Sequence, residues 1–172
     1  YGDIRFYGNE DRSQTPYMGF ELEVDSDFAV KRITVVNKLQ SIFGDFLHYE
    51  NDGSLRYGWE NISQPASLSY HLHNMKKYRE MFTLLLDNDL RFHDTDTCGF
   101  HIHIDRDYFE NRQDSGAAKL LYIFEKYRPE LMLFSRRTKQ ESESWASSRK
   151  SETRNKAWIK KAGKDTKRYQ EH

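Results

Sequence analysis

The 172-residue sequence predicts one α+β domain, because short strand patterns alternate with longer helical ones. Residues 17–25 and 98–105 alternate apolar and polar side chains, which is typical of half-buried strands. Apolar residues recur at helical spacing in residues 27–43, 67–86 and 115–127. With 37% hydrophobic residues, the chain is long enough for one core and hardly long enough for two.

The first predicted strand has one apolar face and one acidic face. Its apolar face comprises Met18, Phe20, Leu22 and Val24, and its polar face comprises Gly19, Glu21, Glu23 and Asp25. Asp25, Ser26 or Asp27 is expected to cap a helix that ends at Gly44. The residues expected to face inward from this helix are Ile33, Val36, Leu39 or Gln40, and Phe43.

A β-hairpin is predicted next, from residues 46–50 and 56–62. The intervening turn contains Asp52 and Gly53, which favour a tight turn. Pro65 ends the second strand because it cannot donate to a ladder. One amphipathic helix is then expected over residues 67–86, with Leu72, Met75, Phe82 and Leu85 or Leu86 facing inward.

The last predicted strands are residues 90–93 and 98–105. In the second of these, His101 and His103 lie on the face opposite to Phe100, Ile102 and Ile104. A helix is expected over residues 115–127, and Pro129 is expected in the first turn of a further helix.

Charge is unevenly distributed along a chain whose net charge is zero. Residues 1–135 contain 15 Lys and Arg against 22 Asp and Glu, whereas residues 136–172 contain 12 against 5. The basic segment 136–172 is most simply a solvated helical or partly flexible segment. It could instead cover anionic phosphates or, as the least favoured interpretation, bind nucleic acid.

Several patterns favour a soluble, cytoplasmic protein. No run approaches the roughly 18 apolar residues that a membrane-spanning helix needs. The single cysteine, Cys98, cannot form an internal disulfide, so no oxidising compartment is required. We therefore expect no membrane partner.

The polar strand faces predict a metal site. Glu21 and Glu23 are two residues apart, so they share a strand face where a cation would offset their repulsion, and Mg²⁺ or Mn²⁺ suits carboxylate oxygen. An isolated Glu-x-Glu pair is also common on solvent-facing strands. His101 and His103 could bind a metal or phosphate, or act as acid–base groups. Because Glu60 lies on a third strand near the turn at Asp52, three elements are expected to converge.

Four segments carry a family resemblance: residues 19–23 (GFELE), 51–55 (NDGSL), 60–65 (ENISQP) and 98–105 (CGFHIHID). In order and spacing they resemble the amidoligase family, and the resemblance spans residues 17 to about 106. It implies a curved antiparallel sheet with helices packed on one face, similar to glutamate–cysteine ligases and glutamine synthetases. It also implies Mg²⁺ and ATP as cofactors.

The resemblance implies roles for individual residues. The implied metal ligands are Glu21, Glu23, Asp52, Glu60 and His101, and His103 is implied to contact nucleotide phosphate. The implied reaction joins the carboxylate of an amino acid or peptide to an amine through an acyl phosphate, with Glu21 and Asp52 as catalytic residues. Independently of the resemblance, the guanidinium groups of Arg136 and Arg137 suit phosphate or carboxylate, and Arg136 is a further catalytic candidate.

Two alternatives to the ligase stay open. One is a Zn²⁺-dependent hydrolase that uses His101 and His103. The other is a non-catalytic module derived from a ligase. The family continues past a segment like Lys167-Arg168-Tyr169 into a final strand, whereas this sequence stops at His172, so we expect a C-terminally truncated form.

Overall fold

An antiparallel sheet organises the first part of the protein, as seen in a computed structural model that describes residues 3–93, 95–105, 108, 113–136, 138 and 140. The described strands are β1 (Tyr17–Val24), β2 (Leu47–Glu50), β3 (Trp59–Ser63), β4 (Ala66–Ser67) and β5 (Phe100–Ile104). Strand β1 pairs with β3 and β4 along one edge and with β5 along the other, and β2 extends the sheet beyond β3. The α+β class and the predicted hairpin are confirmed.

The described helices fall into two compact units, Tyr1–Tyr108 and Phe109–His172. The first unit contains α1 (Arg32–Phe43), followed by a short 3-10 turn at Gly44–Phe46, and then α2 (Leu68–His73) and α3 (Met75–Leu86). The second contains α4 (Gln113–Lys126) and α5 (Arg128–Ser135), with Pro129 in the first turn of α5 as predicted. None of the described helices combines the length and apolar character needed to cross a membrane.

The hydrophobic core of the first unit lies between one face of the sheet and helices α1 and α3. Its members include Leu22 and Val24 from β1, Trp59 from β3, Val35, Leu39 and Phe43 from α1, and Tyr78, Met81 and Leu85 from α3. Asn61 is also fully buried on this face. Its amide donates to the carbonyl of Leu22 at 3.0 Å and accepts from the indole N–H of Trp59 at 3.0 Å, which offsets the cost of burying it.

The start of the first helix differs from its prediction. Helix α1 begins at Arg32 rather than after residue 27, and its N-cap Lys31 makes no capping bond within the described residues. Asp25 does not cap the helix because its carboxylate bonds to other chain segments. The predicted inward residues Leu39 and Phe43 are buried and Val36 packs against the core, but Ile33 is 74% exposed and Val35 is buried instead.

The long helix predicted over residues 67–86 is interrupted at Asn74. The side-chain amide of Asn74 donates to the carbonyl of Tyr70 at 2.8 Å and so competes with the helical pattern of the backbone. Leu72 and Met75 were predicted to face inward but are exposed, whereas Leu85 is buried and Phe82 packs against the core, as predicted. The strand predicted over residues 90–93 is reduced to a single bridge between Asp25 and Arg91.

Gly58 allows the β2–β3 loop to approach the end of β1. A Cβ atom added there would lie 1.7 Å from the carbonyl oxygen of Val24. No rotamer relieves that overlap, because the neighbouring atom belongs to the backbone. Gly53, in the same loop, has no atom within 4 Å of its added Cβ.

We expect Gly58→Ala to lower the free energy of unfolding by about 3 kcal/mol or more, because the loop must move off β1. Urea unfolding measures this quantity. Gly53→Ala is the matched control and should change the free energy of unfolding by less than about 0.5 kcal/mol. Equal effects of the two substitutions would contradict the close approach at Gly58.

Candidate metal centre

The register of the strands brings the predicted site residues to one face of the sheet. Glu21 lies opposite His101 across β1 and β5, and Glu23 lies opposite Glu60 across β1 and β3. Glu60 in turn lies opposite Glu50 on β2. Residues directly opposite each other share a face, so these side chains project together from the side of the sheet that is not packed against α1 and α3.

Glu21 is the centre of this polar face. Its two carboxylate oxygens contact His101 Nδ1 at 3.1 Å and His103 Nε2 at 3.0 Å, and its side chain is 19% exposed. Burial alone would raise the pKa of Glu21. Hydrogen bonds from the two imidazoles, with their positive charge when protonated, outweigh burial and lower the pKa of Glu21 below its ordinary value.

Glu21, Glu60 and His101 form a cluster that could hold a metal ion. Each offers one ligand atom, and these atoms lie within 4.8 Å of one another. Burial raises the pKa of Glu60, and the negative charges of Glu21, Glu23 and Asp52 raise it further. Two carboxylates and one imidazole fit a divalent cation, which would also relieve this repulsion.

Glu23 and Asp52, two predicted metal ligands, lie outside this three-residue cluster. The buried carboxylate of Glu23 accepts a hydrogen bond from the backbone N–H of Gly99. Asp52 accepts from the backbone N–H of Ser54 at 2.7 Å, and hydrogen bonds from Ser54 lower its pKa. Asp52 is nevertheless close enough to the cluster for its charge to raise the pKa of Glu60.

The remaining predicted functional residues, His103, Arg136 and Arg137, do not belong to the three-residue cluster. His103 contacts Glu21 but does not belong to the cluster. Arg136 is the C-cap of α5 in the second unit and adopts a left-handed backbone conformation with φ 55°. Arg137 lies outside the described residues, as does most of segment 136–172. Arg136 and Arg137 therefore stay predictions as phosphate ligands.

Two residues near the site were not recognised in the sequence. Glu50 was predicted to lie on the first strand of the hairpin, but its position opposite Glu60 depends on a register that the eight-residue loop leaves open. Arg12 places its guanidinium 2.8 Å from Asp105, two residues beyond His103. It also stacks 3.5 Å from the ring centroid of Phe6. No periodic pattern in the sequence signals this contact between Arg12 and Asp105.

Comparison with known proteins adds no assignment for this site, since no family model, curated protein or solved structure matches the chain. The site is therefore defined by its strand register, its distances and its electrostatics.

The two glutamates of the cluster should affect stability in opposite directions when metal is absent. The raised pKa of Glu60 means that its ionised form destabilises the folded state at pH 7. The lowered pKa of Glu21 means that its ionised form stabilises the folded state at pH 7, a contribution lost as pH falls through its folded-state pKa. We expect Glu60→Gln to raise the free energy of unfolding at pH 7 and Glu21→Gln to lower it.

Urea unfolding in EDTA at pH 7 and at pH 3 tests this pair of substitutions. Both effects should shrink at the lower pH, where the carboxyl groups become protonated in both states. Glu80→Gln is a suitable control because the Glu80 carboxylate is half exposed on α3, where it forms a 3.8 Å ion pair with Lys76. A loss of stability in Glu60→Gln at pH 7 would contradict the repulsion assigned to this face.

Proposed function

We propose that this chain is an ATP- and Mg²⁺-dependent carboxylate–amine ligase of the amidoligase type, with a glutamine synthetase-like fold, acting in the cytoplasm. The observation that carries the proposal is the convergence of Glu21, Glu60 and His101 from β1, β3 and β5. The four ordered motifs support it, because three of them supply these residues and the fourth supplies Asp52. An amino acid or peptide would provide the carboxylate.

The proposed reaction proceeds in two steps through an acyl phosphate. A carboxylate oxygen of the substrate attacks the γ-phosphorus of ATP, and ADP leaves with the electrons of the broken P–O bond. The amine then attacks the carbonyl carbon of the acyl phosphate, inorganic phosphate leaves, and the amine loses a proton. When bound, Mg²⁺ would neutralise charge on the phosphates.

The residues of the polar face suit this chemistry. Glu21, Glu60 and His101 would hold the cation, and Asp52 would add negative charge near it. His103 contacts Glu21 at 3.0 Å and would hold that carboxylate in the orientation that the cation requires. His103 is also proposed to contact the nucleotide phosphate. Arg136 and Arg137 are proposed to bind phosphate or the substrate carboxylate.

The composition of the cluster favours the ligase over the Zn²⁺ hydrolase. A hydrolase built on the two imidazoles would place both in one ligand set, whereas only His101 belongs to the described cluster. The other two members of the cluster, Glu21 and Glu60, are carboxylates, and the nearby side chains of Glu23 and Asp52 are carboxylates as well. An oxygen-rich set suits Mg²⁺ or Mn²⁺ better than Zn²⁺.

We expect the protein to bind Mn²⁺ weakly by itself and more tightly with ATP, as measured by titration calorimetry. Glu60→Gln should weaken Mn²⁺ binding by about 100-fold, at the upper end of the effects known for residues that support metal sites. Glu80→Gln, on the exposed surface of α3, should leave Mn²⁺ binding unchanged. The same protein with MgATP, amino acids and amines should release ADP and phosphate only when both substrates are present.

Several outcomes would reject the ligase. Absence of nucleotide binding in the presence of Mn²⁺ would exclude an ATP-dependent reaction. Tight Zn²⁺ binding without affinity for ATP would favour the hydrolase instead. Salt-sensitive nucleic-acid binding that persists after Glu21→Ala, without ADP release by the parent protein, would favour a binding module.

A further inference from the structure

The carboxylate of Asp25 lies at a junction of three chain segments. Asp25 directly follows β1 and is 4% exposed. Its oxygens accept hydrogen bonds from the backbone N–H groups of Ser26 at 2.9 Å, Arg56 at 3.1 Å and Tyr57 at 2.9 Å. The hydroxyl group of Thr97 donates to the same carboxylate at 2.9 Å. Donors from two distant loops therefore meet at one buried side chain.

The backbone strengthens this junction. Asp25 and Arg91 exchange N–H to carbonyl hydrogen bonds in both directions, each 2.8 Å long. Gly58, at the end of the same loop as Arg56 and Tyr57, packs its backbone directly against Val24. Residues 51–58 are thus attached to the end of β1 by side-chain bonds and by close packing.

The donors leave Asp25 little capacity to bind a ligand. A carboxylate offers about four lone-pair positions, and the N–H group of Arg56 contacts both oxygens while three other donors contact one oxygen each. Asp25 is therefore suited to hold the backbone rather than a metal ion.

The attached loop supplies part of the proposed site. Asp52 lies in this loop, two residues beyond Glu50, which is directly opposite Glu60 of the cluster across β2 and β3. The loop then continues into β3, where Glu60 pairs with Glu23. A shift of the loop would therefore move the Asp52 carboxylate relative to the cation that the cluster is proposed to hold.

We infer that Asp25 is a positioning residue that holds the loop of residues 51–58 so that Asp52 faces the metal cluster. This inference rests on the proposed metal site. Asp25 shares the acidic strand face with Glu21 and Glu23. Its proposed role is to position the loop and not to bind the cation directly. Its influence on the cation passes through Asp52.

A double-mutant cycle with Asp52 tests this assignment. Asp25→Asn replaces one acceptor oxygen by an NH₂ group facing N–H donors, so the loop should loosen and Mn²⁺ affinity should fall by about tenfold. In the Asp52→Asn background the same substitution should cost much less, because the carboxylate that it positions is already absent. Calorimetry on the full chain with Mn²⁺ alone gives all four affinities.

Asp27→Asn is the matched control. Asp27 is two residues away, is exposed, and contacts the side chains of Arg56 and Arg91 rather than the loop backbone. Its substitution removes the same charge and should leave Mn²⁺ affinity unchanged. Loss of Mn²⁺ affinity in Asp27→Asn equal to that in Asp25→Asn would attribute the effect to net charge and overturn the inference.

Folding must be separated from positioning. Circular dichroism and urea unfolding establish whether the Asp25→Asn variant folds. If that variant does not fold, Thr97→Val takes its place in the cycle, because Thr97→Val removes only one hydrogen-bond donor to Asp25. If Asp25→Asn lowers Mn²⁺ affinity by the same factor with Asp52 present and with Asp52→Asn, the positioning role is overturned. Parent protein that binds no Mn²⁺ would overturn the proposed function together with this inference, whereas normal Mn²⁺ binding by Asp25→Asn would overturn the inference alone.

Discussion

The pairing of β1 with β3 along one edge and with β5 along the other is the constraint on which the candidate site depends. It places Glu21 opposite His101 and Glu23 opposite Glu60. Because side chains alternate across a strand, a slip of one residue in either pairing would move the partner side chains to the opposite face. The buried residues Leu22, Val24 and Trp59 oppose such a slip, since it would expose them to water. Core packing and site geometry are therefore fixed by the same register.

The polar face concentrates negative charge in a way that a fold without a ligand would be expected to avoid. Burial raises the pKa of Glu60, and the negative charges of Glu21, Glu23 and Asp52 raise it further. Glu21 is balanced by the two imidazoles beside it, and its pKa is lowered. Such opposed shifts within one cluster are typical of functional sites, where a structure tolerates unfavourable electrostatics that a bound cation would relieve. This contrast between neighbouring glutamates supports a cation site more strongly than their number does.

The end of β1 shows how the loops around the site are fixed. The Asp25 carboxylate accepts hydrogen bonds from residues 56, 57 and 97, and Gly58 allows the loop backbone to pack against Val24. Neither residue contributes a ligand atom to the described cluster. Together they determine where the Asp52 turn lies and where the segment leading to His101 begins. The positions of the candidate metal ligands therefore depend on buried polar contacts that hold the backbone of the surrounding loops.

The sequence by itself determined the α+β class, the apolar and polar faces of β1, the hairpin around Asp52 and the placement of Pro129 in the first turn of a helix. These features follow from local periodicity and from the conformational limits of glycine and proline. Strand β5, which was predicted to be half-buried, is instead exposed on both faces. The tertiary structure decided the break at Asn74, the exposure of Ile33, the bond between Glu23 and Gly99, and the partners of Asp25. Each of these depends on contacts between residues whose relative positions only the packed chain defines. Periodicity assigns a side chain to a face, but register and packing decide which side chains meet there.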